Sequence, residues 1–230
     1  MTVAQRRMLI VGLVPLLVLV VAGAAVTVSS IRGKLPYSYS ASFVPGAQGV
    51  RIETEVPAQL LASVDGKVHV TVDGSYAVAK PVIDVSTTGG VLSIKTSCPD
   101  THCAVDLAVE VPVDSKVQAT SEGVSLDVVG VASPLTVEVS DGSLDMTRLR
   151  SSQVSADVRR GSLSMLFDNP PDQVAATVGD GSLTVHLPRT ATYAIDAVAT
   201  QGSTELDIPN DPSSTHQLQL RTTYGSITVE

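Results

Sequence analysis

Tryptophan is absent from this chain, phenylalanine occurs only as Phe43 and Phe167, and all aromatics together make up 3% of 230 residues. A core must therefore be assembled from Val, Leu, Ile and Ala, which suits narrow stacked layers better than one thick centre built on rings. The same shortage counts against ligand binding that rests on stacking sugars. No His-Glu-x-x-His, P-loop or Gly-x-Ser-x-Gly phrase occurs, so nucleotide and zinc-protease chemistry have no visible seat. Cysteine is scarce too, with Cys98 and Cys103 the only pair.

Charge is missing from Met8 to Val28, an apolar run of 21 residues. As a helix it would be about 31 Å long, enough for a hydrocarbon core of about 30 Å. Pro15 is tolerable in a membrane helix. Arg6 and Arg7 precede the run while Arg32 and Lys34 follow it, a thin margin that keeps the amino terminus inside. The competing reading is a cleaved signal peptide with Ala22-Gly23-Ala24 at the cut. Because the apolar run continues through Val28, a retained signal anchor is the expectation. Residues 1–7 then form a cytoplasmic N-terminus and residues 8–28 one transmembrane helix. The protein would be single-pass in the cell membrane, with its C-terminal domain extracytoplasmic. Residues 29–49, holding Pro36 and Pro45 among serines and tyrosines with no alternating apolar pattern, read as a juxtamembrane linker. Residues 50–230 form one β-repeat domain.

Basic residues are the minority in that domain. From Leu35 onward the chain carries all 23 acidic residues but only 11 of the 15 basic ones, a formal charge of −12. Such acidity argues against nucleic acid and against direct docking on anionic lipid, and it is also what a soluble exposed surface shows.

What the chain has in abundance is a repeat. Asp141-Gly142-Ser143-Leu144 returns as Arg160-Gly161-Ser162-Leu163, Asp180-Gly181-Ser182-Leu183, Gln201-Gly202-Ser203-Thr204 and Tyr224-Gly225-Ser226-Ile227, with glycines 19, 20, 21 and 23 residues apart. Apolar residues alternate on both sides of each corner, as in Leu135/Val137/Val139 before Gly142 and Leu144/Met146 after it, which is strand periodicity. A unit of two short strands cannot bury its apolar face alone, so neighbouring units must stack. The predicted fold is all-β: a β-solenoid, a β-helix-like stack of two-strand coils of about 20 residues. Its rival is an antiparallel β-sandwich of hairpins turning at Asp-Gly. Type I′ hairpins need positive φ at both central residues, and Arg160, Gln201 and Tyr224 are poorly placed there. One positive-φ corner per coil, at Gly142, Gly161, Gly181, Gly202 and Gly225, explains the phrase better.

Equivalent residues should form ladders along the stack, the serines after each glycine among them. Turn serines usually serve nearby backbone groups, and a hydroxyl row offered to a ligand is the sharper alternative. Upstream, candidate strands fall at Val50–Val56, Leu60–Val64, Lys67–Val72, Val82–Ser86, Val91–Lys95 and Val105–Val111, and read as irregular early coils capping the array. Asp65-Gly66, Asp73-Gly74 and Gly89-Gly90 mark strand ends or turns. Val117, Ala119 and Ser121, leading to Glu122-Gly123-Val124-Ser125-Leu126, form a sixth coil if Val124 takes the glycine place, with a bulged corner.

Cys98 and Cys103 enclose four residues and read as a disulfide in an oxidising compartment, a local staple of roughly 2 kcal/mol. A redox pair and a metal site using His102 are the alternatives; neither has the expected Cys-x-x-Cys spacing or four ligands. The four histidines, His69, His102, His186 and His216, share no metal-ligand spacing. Asp141 and Asp180 share a corner position with Arg160 between them, which suggests alternating surface ion pairs. A cation, sugar or acid/base site built from Asp127, Asp145 and Asp207 competes with that reading. No catalytic, cofactor-binding or metal residue is assigned.

Several of these features together resemble a bacterial family described as putative adhesins, or β-strand-repeat domains of unknown function. They are the Cys pair before Val105-Asp-Leu-Ala-Val-Glu-Val-Pro112, the Gly-Ser-Leu-x-Val phrases, Val185-His-Leu-Pro188-Arg-Thr-Ala-Thr-Tyr193-Ala-Ile195-Asp, and the Gly-Ser-Ile-Thr-Val that ends at Val229. The likeness covers roughly residues 50–230. It implies an extracytoplasmic β-solenoid-like domain tethered by an N-terminal membrane helix, and it transfers no catalytic residue. The expected function is a membrane-anchored surface adhesion, scaffolding or sensing module without catalysis. Its expected partners are the membrane and cell-surface or envelope proteins or glycans. The alternative is a carbohydrate-active enzyme that processes polysaccharide.

Overall fold

The computed structural model describes residues 33–230. The expected transmembrane helix at 8–28 and the cytoplasmic segment 1–7 lie outside the described residues. Among the described residues no helix is long and apolar enough to cross a membrane.

The described chain is all β. It begins with β1 (Leu35–Phe43), then β2 (Gly49–Thr54) and β3 (Ala58–Ser63), β4 (Val68–Tyr76) and β5 (Val82–Thr88), and β6 (Val91–Ser97) and β7 (Ala104–Pro112). The regular part continues with β8 (Val117–Ser121) and β9 (Leu126–Val129), β10 (Leu135–Asp141) and β11 (Leu144–Leu149), and β12 (Gln153–Arg160) and β13 (Leu163–Phe167). It ends with β14 (Gln173–Asp180) and β15 (Leu183–His186), β16 (Ala194–Gln201) and β17 (Thr204–Leu206), and β18 (Gln217–Tyr224) and β19 (Ile227–Val229).

Each coil gives one strand to each of two facing sheets. The ten-stranded sheet runs β1-β4-β7-β3-β9-β11-β13-β15-β19-β17 and the nine-stranded sheet runs β16-β18-β14-β12-β10-β8-β2-β6-β5. Neighbouring coils pair in parallel and in register, Leu144 beside Leu163 beside Leu183 beside Ile227. These four are at most 1% exposed. The solenoid-like stack replaces the hairpin sandwich because inward residues of one parity are covered from above and below by their own equivalents. Burying a side chain of this size stabilises by about 1.5–3 kcal/mol, and no ring is needed to fill so thin a layer. The sixth coil is present as expected: Val117 pairs with Leu135 and Leu126 with Leu144, which puts Val124 level with Gly142.

Three expectations need correction. The first is order. The last coil in the chain, β18/β19, does not sit at the end of the stack but between β14/β15 and β16/β17. At the other end β2/β3 likewise lies between β6/β7 and β8/β9. The chain can skip a position and return because residues 187–193 and 207–216 are long connectors containing Pro188, Pro209 and Pro212. The wider spacings of 21 and 23 between the last glycines are the trace of that detour. The second concerns residues 29–49, expected as a linker: Leu35–Phe43 within it forms β1, paired antiparallel with β4. Tyr37, Tyr39 and Phe43 rest on the core, so the alternating element here is aromatic rather than aliphatic. The third is conformational: Gly142, Gly161, Gly181 and Gly225 have positive φ, but Gly202 does not.

Early strands otherwise lie where alternation put them. Gly89 and Gly90, both at positive φ, close the two-residue hairpin β5–β6, as a type I′ turn requires. Asp73-Gly74 falls inside β4 rather than at its end. The disulfide Cys98–Cys103 closes the corner between β6 and β7 with Cα atoms 5.6 Å apart. Inside its loop Asp100 accepts the His102 N–H at 2.7 Å and the Ala79 N–H at 2.9 Å. Those backbone donors hold its carboxyl below the usual range.

Candidate functional site

The corner glycines form a column. A Cβ built on Gly161 would overlap the carbonyl oxygen of Gly142, and likewise Gly181 on Gly161, Gly225 on Gly181 and Gly202 on Gly225. At Gly202 this close approach alone demands glycine, which spacing by itself could not distinguish from a positive φ. The serines that follow continue the ladder through the corner: Leu144 N–H donates to Ser162 C=O and Leu163 N–H to Ser182 C=O, both at 2.9 Å. One hydroxyl pair, Ser143 to Ser125 at 3.0 Å, also spans neighbouring coils.

Asp141, Arg160 and Asp180 stand in register as expected. Arg160 Nη2 donates to Asp141 Oδ2 at 2.8 Å, and that carboxylate raises the guanidinium's pKa. The pair is exposed, so solvent and salt screen it and its contribution to stability is small. Asp127 and Asp145 are neighbours on the outer face of the ten-stranded sheet, while Asp207 lies just past β17. Among the described residues no group of three or more His, Cys, Asp or Glu side chains is placed to hold a metal ion.

Each histidine stands near a carboxylate: His69 by Asp65 at 2.9 Å, His102 by Asp100 at 3.6 Å, His186 by Glu230 at 3.4 Å and His216 by Asp172 at 3.6 Å. The first of these belongs to a longer chain that spacing did not reveal. Ser42 Oγ is 2.8 Å from His69 Nδ1, and His69 Nε2 is 2.9 Å from Asp65 Oδ2. Asp65 Oδ1 accepts from Ser63 Oγ at 2.8 Å and Lys67 N–H at 3.0 Å. An ionised carboxylate only accepts, so His69 Nε2–H donates to it, and a neutral His69 accepts the hydrogen bond of the Ser42 hydroxyl at Nδ1. The residue types are those of a nucleophile, base and orienter, but the three lie on an open cross-strand surface where they pin β1 to the β3–β4 turn. The signal that could have found them is the register Ser42↔His69, which exists only once β1 is recognised as a strand.

His69 foremost, then Ser63 and Lys67, hold the Asp65 carboxyl down at about 2. Its folded pKa lies below the unfolded value near 3.9. The stabilisation it supplies is therefore complete above about pH 4 and is lost as pH falls toward 2. A carboxyl-carbon NMR titration should show Asp65 still ionised at pH 3, and replacing His69 with Ala should move its midpoint upward.

A recess of about 530 Å³ crosses five coils of the nine-stranded sheet at the N-terminal ends of its strands. Gln153, Gln173 and Gln217 stand side by side in it, in register and exposed, with Gln219, Thr136 and Ser155 beside them. Gln118 is fixed by Arg51 through bonds of 3.0 and 3.3 Å. Among the lining residues Lys116 alone is charged. Lys116 apart, the groove is a shelf of uncharged amides and hydroxyls on an acidic molecule, with partners recurring about every 4.8 Å along the stack. Each Gln offers one acceptor and two donors. Periodicity could mark these positions as outward-facing, but not that three glutamines would meet.

The family profile described as Toastrack DUF4097 matches residues 92–230. The chain belongs to this family. The Toastrack region thus runs from β6 to the C-terminus and includes every corner glycine and the glutamine shelf. The chain is also similar in structure to a putative cell adhesion protein from Clostridium sporogenes, at 15% identity and a TM-score of 0.48 over 85% of this chain and 99% of that one. A putative adhesin from Bacteroides fragilis matches at 14% identity and TM-score 0.34, covering 84% and 97%. A putative lipid binding protein from Parabacteroides distasonis matches at 10% identity and TM-score 0.30, covering 85% and 96%. No curated protein matches the chain.

Proposed function

We propose that this Toastrack protein is a membrane-anchored, extracytoplasmic interaction module that holds a neutral, hydroxyl-rich polymer, a cell-surface or envelope glycan, along its glutamine shelf without turning it over. The observation that carries this reading is the in-register row Gln153, Gln173 and Gln217 inside a groove parallel to the stack axis. A linear polymer laid along that axis meets the same donor and acceptor pattern at three successive coils, whereas a compact solute meets it once. The apolar run Met8–Val28 supports the anchor, and the disulfide Cys98–Cys103 supports an oxidising compartment. Binding rests on hydrogen bonds of about 0.5–1.5 kcal/mol each rather than on ring stacking, so single-site affinity is low and array display raises it.

The test presents envelope polysaccharides to the full-length chain. Saturable binding without new reducing ends is expected, weakened about tenfold in a Gln153→Ala/Gln173→Ala/Gln217→Ala variant that melts like the parent, the loss of one to two hydrogen bonds' worth of affinity. Released oligosaccharides would favour the carbohydrate-active enzyme, and binding indifferent to the three substitutions would remove the shelf from the account.

A further inference from the structure

The stack is finished differently at its two ends. At one end antiparallel strands β1, β4 and β5 close the sheets. At the other, about 43 Å away across ten strands, coil β16/β17 is the edge of both sheets. We propose that this edge is a docking site that takes up one extended, positively charged β-strand from a partner protein.

The backbone says where the strand would lie. Ala194 N–H donates to His216 C=O at 2.8 Å, so in this parallel pairing the groups of Ala194, Asp196 and Val198 face β18 while those of Ile195, Ala197 and Ala199 face away. Ile195 is already served: its N–H donates to Asn210 Oδ1 at 2.9 Å and its C=O accepts from Asn210 Nδ2 at 3.0 Å. One side-chain amide thus stands in for a neighbouring strand at a single position. Past it, Ala197 and Ala199 have no backbone partner on that side among the described residues. In the other sheet Ile227 N–H donates to Ser203 C=O and Asp207 N–H to Val229 C=O, which leaves the groups of Thr204 and Leu206 outward.

The side chains agree with the backbone. Leu206 is 39% exposed, although Val229, its register partner one coil inside, is 0% exposed. Ala197 and Ala199 are only partly buried against the core. These inward-facing positions lack the covering that every interior coil receives. Natural edges are usually blunted by Lys, Pro or a bulge, yet β16 and β17 contain no Lys or Pro.

Charge selects the occupant. Residues 194–208 hold Asp196, Glu205 and Asp207 and no basic residue. Asp196 is engaged by Arg221, whereas Glu205 and Asp207 have no ion-pair partner among the described residues. A second copy of this chain would set these carboxylates against their own kind, and like charges across a strand pair are destabilising. An added strand with small apolar residues inward and Lys or Arg outward covers Ala197 and Ala199 in the nine-stranded sheet and sets its basic side chains on the outer face beside Asp196. This is strand addition, with affinity from the main chain and selectivity from alternate side chains.

The probe is a fluorescent ten-residue peptide of alternating Val and Lys, titrated into the full-length chain, with an alternating Val and Glu peptide as its counterpart. Saturable binding of the Lys peptide alone is expected. It should weaken about tenfold in an Ala197→Pro/Ala199→Pro variant, which removes the two outward donors and leaves the β18-facing groups of Val198 in place. Asp196→Lys, which reverses the charge on the outer face of β16 itself, should reverse the preference between the two peptides. Should the proline variant fail to fold, a peptide N-methylated at alternate residues makes the same test from the other side, and it should bind about tenfold more weakly than the parent peptide. Equal binding of both peptides, or binding indifferent to the prolines and to N-methylation, would overturn the proposal. So would a self-associated dimer that the prolines dissolve, since the occupant would then be a second copy.

Discussion

Deleting residues 217–230 is expected to unseat two coils, not one. In a stack laid down in sequence order, removing the last coil trims the end and leaves the rest paired. Here β18/β19 lies between β14/β15 and β16/β17, so its loss strips β16 and β17 of their strand partners. The deleted coil also buries Leu218, Leu220, Ile227 and Val229, each at most 1% exposed. At about 1.5–3 kcal/mol apiece these amount to as much as roughly 6–12 kcal/mol, an upper bound that rivals the whole stability of a typical domain. Hydrogen exchange should show Ala194–Leu206 unprotected in the truncated chain while β10 to β13 keep protection. Retained protection across β16 would mean that this coil can pair directly with β14/β15.

Gly181→Val is the point substitution with the largest expected effect. Gly181 has φ near +145°, and a Cβ there would overlap the carbonyl oxygen of Gly161. Backbone cannot yield as a flexible side chain can, so the coils must part at a corner where Gly181 N–H and Leu183 N–H both cross to the next coil. A loss of at least about 3 kcal/mol follows, a fall in melting temperature of roughly 6–12 °C for a domain of this size. Gly123→Ala is the internal comparison. It too has positive φ, but nothing lies within 4 Å of its added Cβ, so it should lose only about 1–2 kcal/mol. Equal losses at the two sites would show that backbone conformation, not contact between coils, fixes the glycine column.

The stacked architecture was legible because it repeats. Five Gly-Ser phrases with apolar residues at constant parity leave little choice, and even the irregular coil at Val124 could be placed. The order of coils was not legible, since Leu220 and Ala197 have the same parity and alternation cannot say which lies next to Ala176. Only connector length carried that information. Strand β1 escaped notice because its inward residues are Tyr37, Tyr39 and Ala41, not Val or Leu. The glutamine shelf and the Ser42–His69–Asp65 chain were invisible for a shared reason: both arise from register between strands far apart in sequence, and neither uses a local motif.

The direction of the hydrogen bonds has a mechanical consequence. They run along the stack axis, from coil to coil, so a pull between β1 and the far end acts along the bonds and opens them one strand at a time, as a zipper parts, instead of shearing a whole ladder at once. Extension under load should therefore proceed in steps at modest force, each step releasing one coil of about 20 residues, and the molecule would act as a yielding tether in place of a rigid strut.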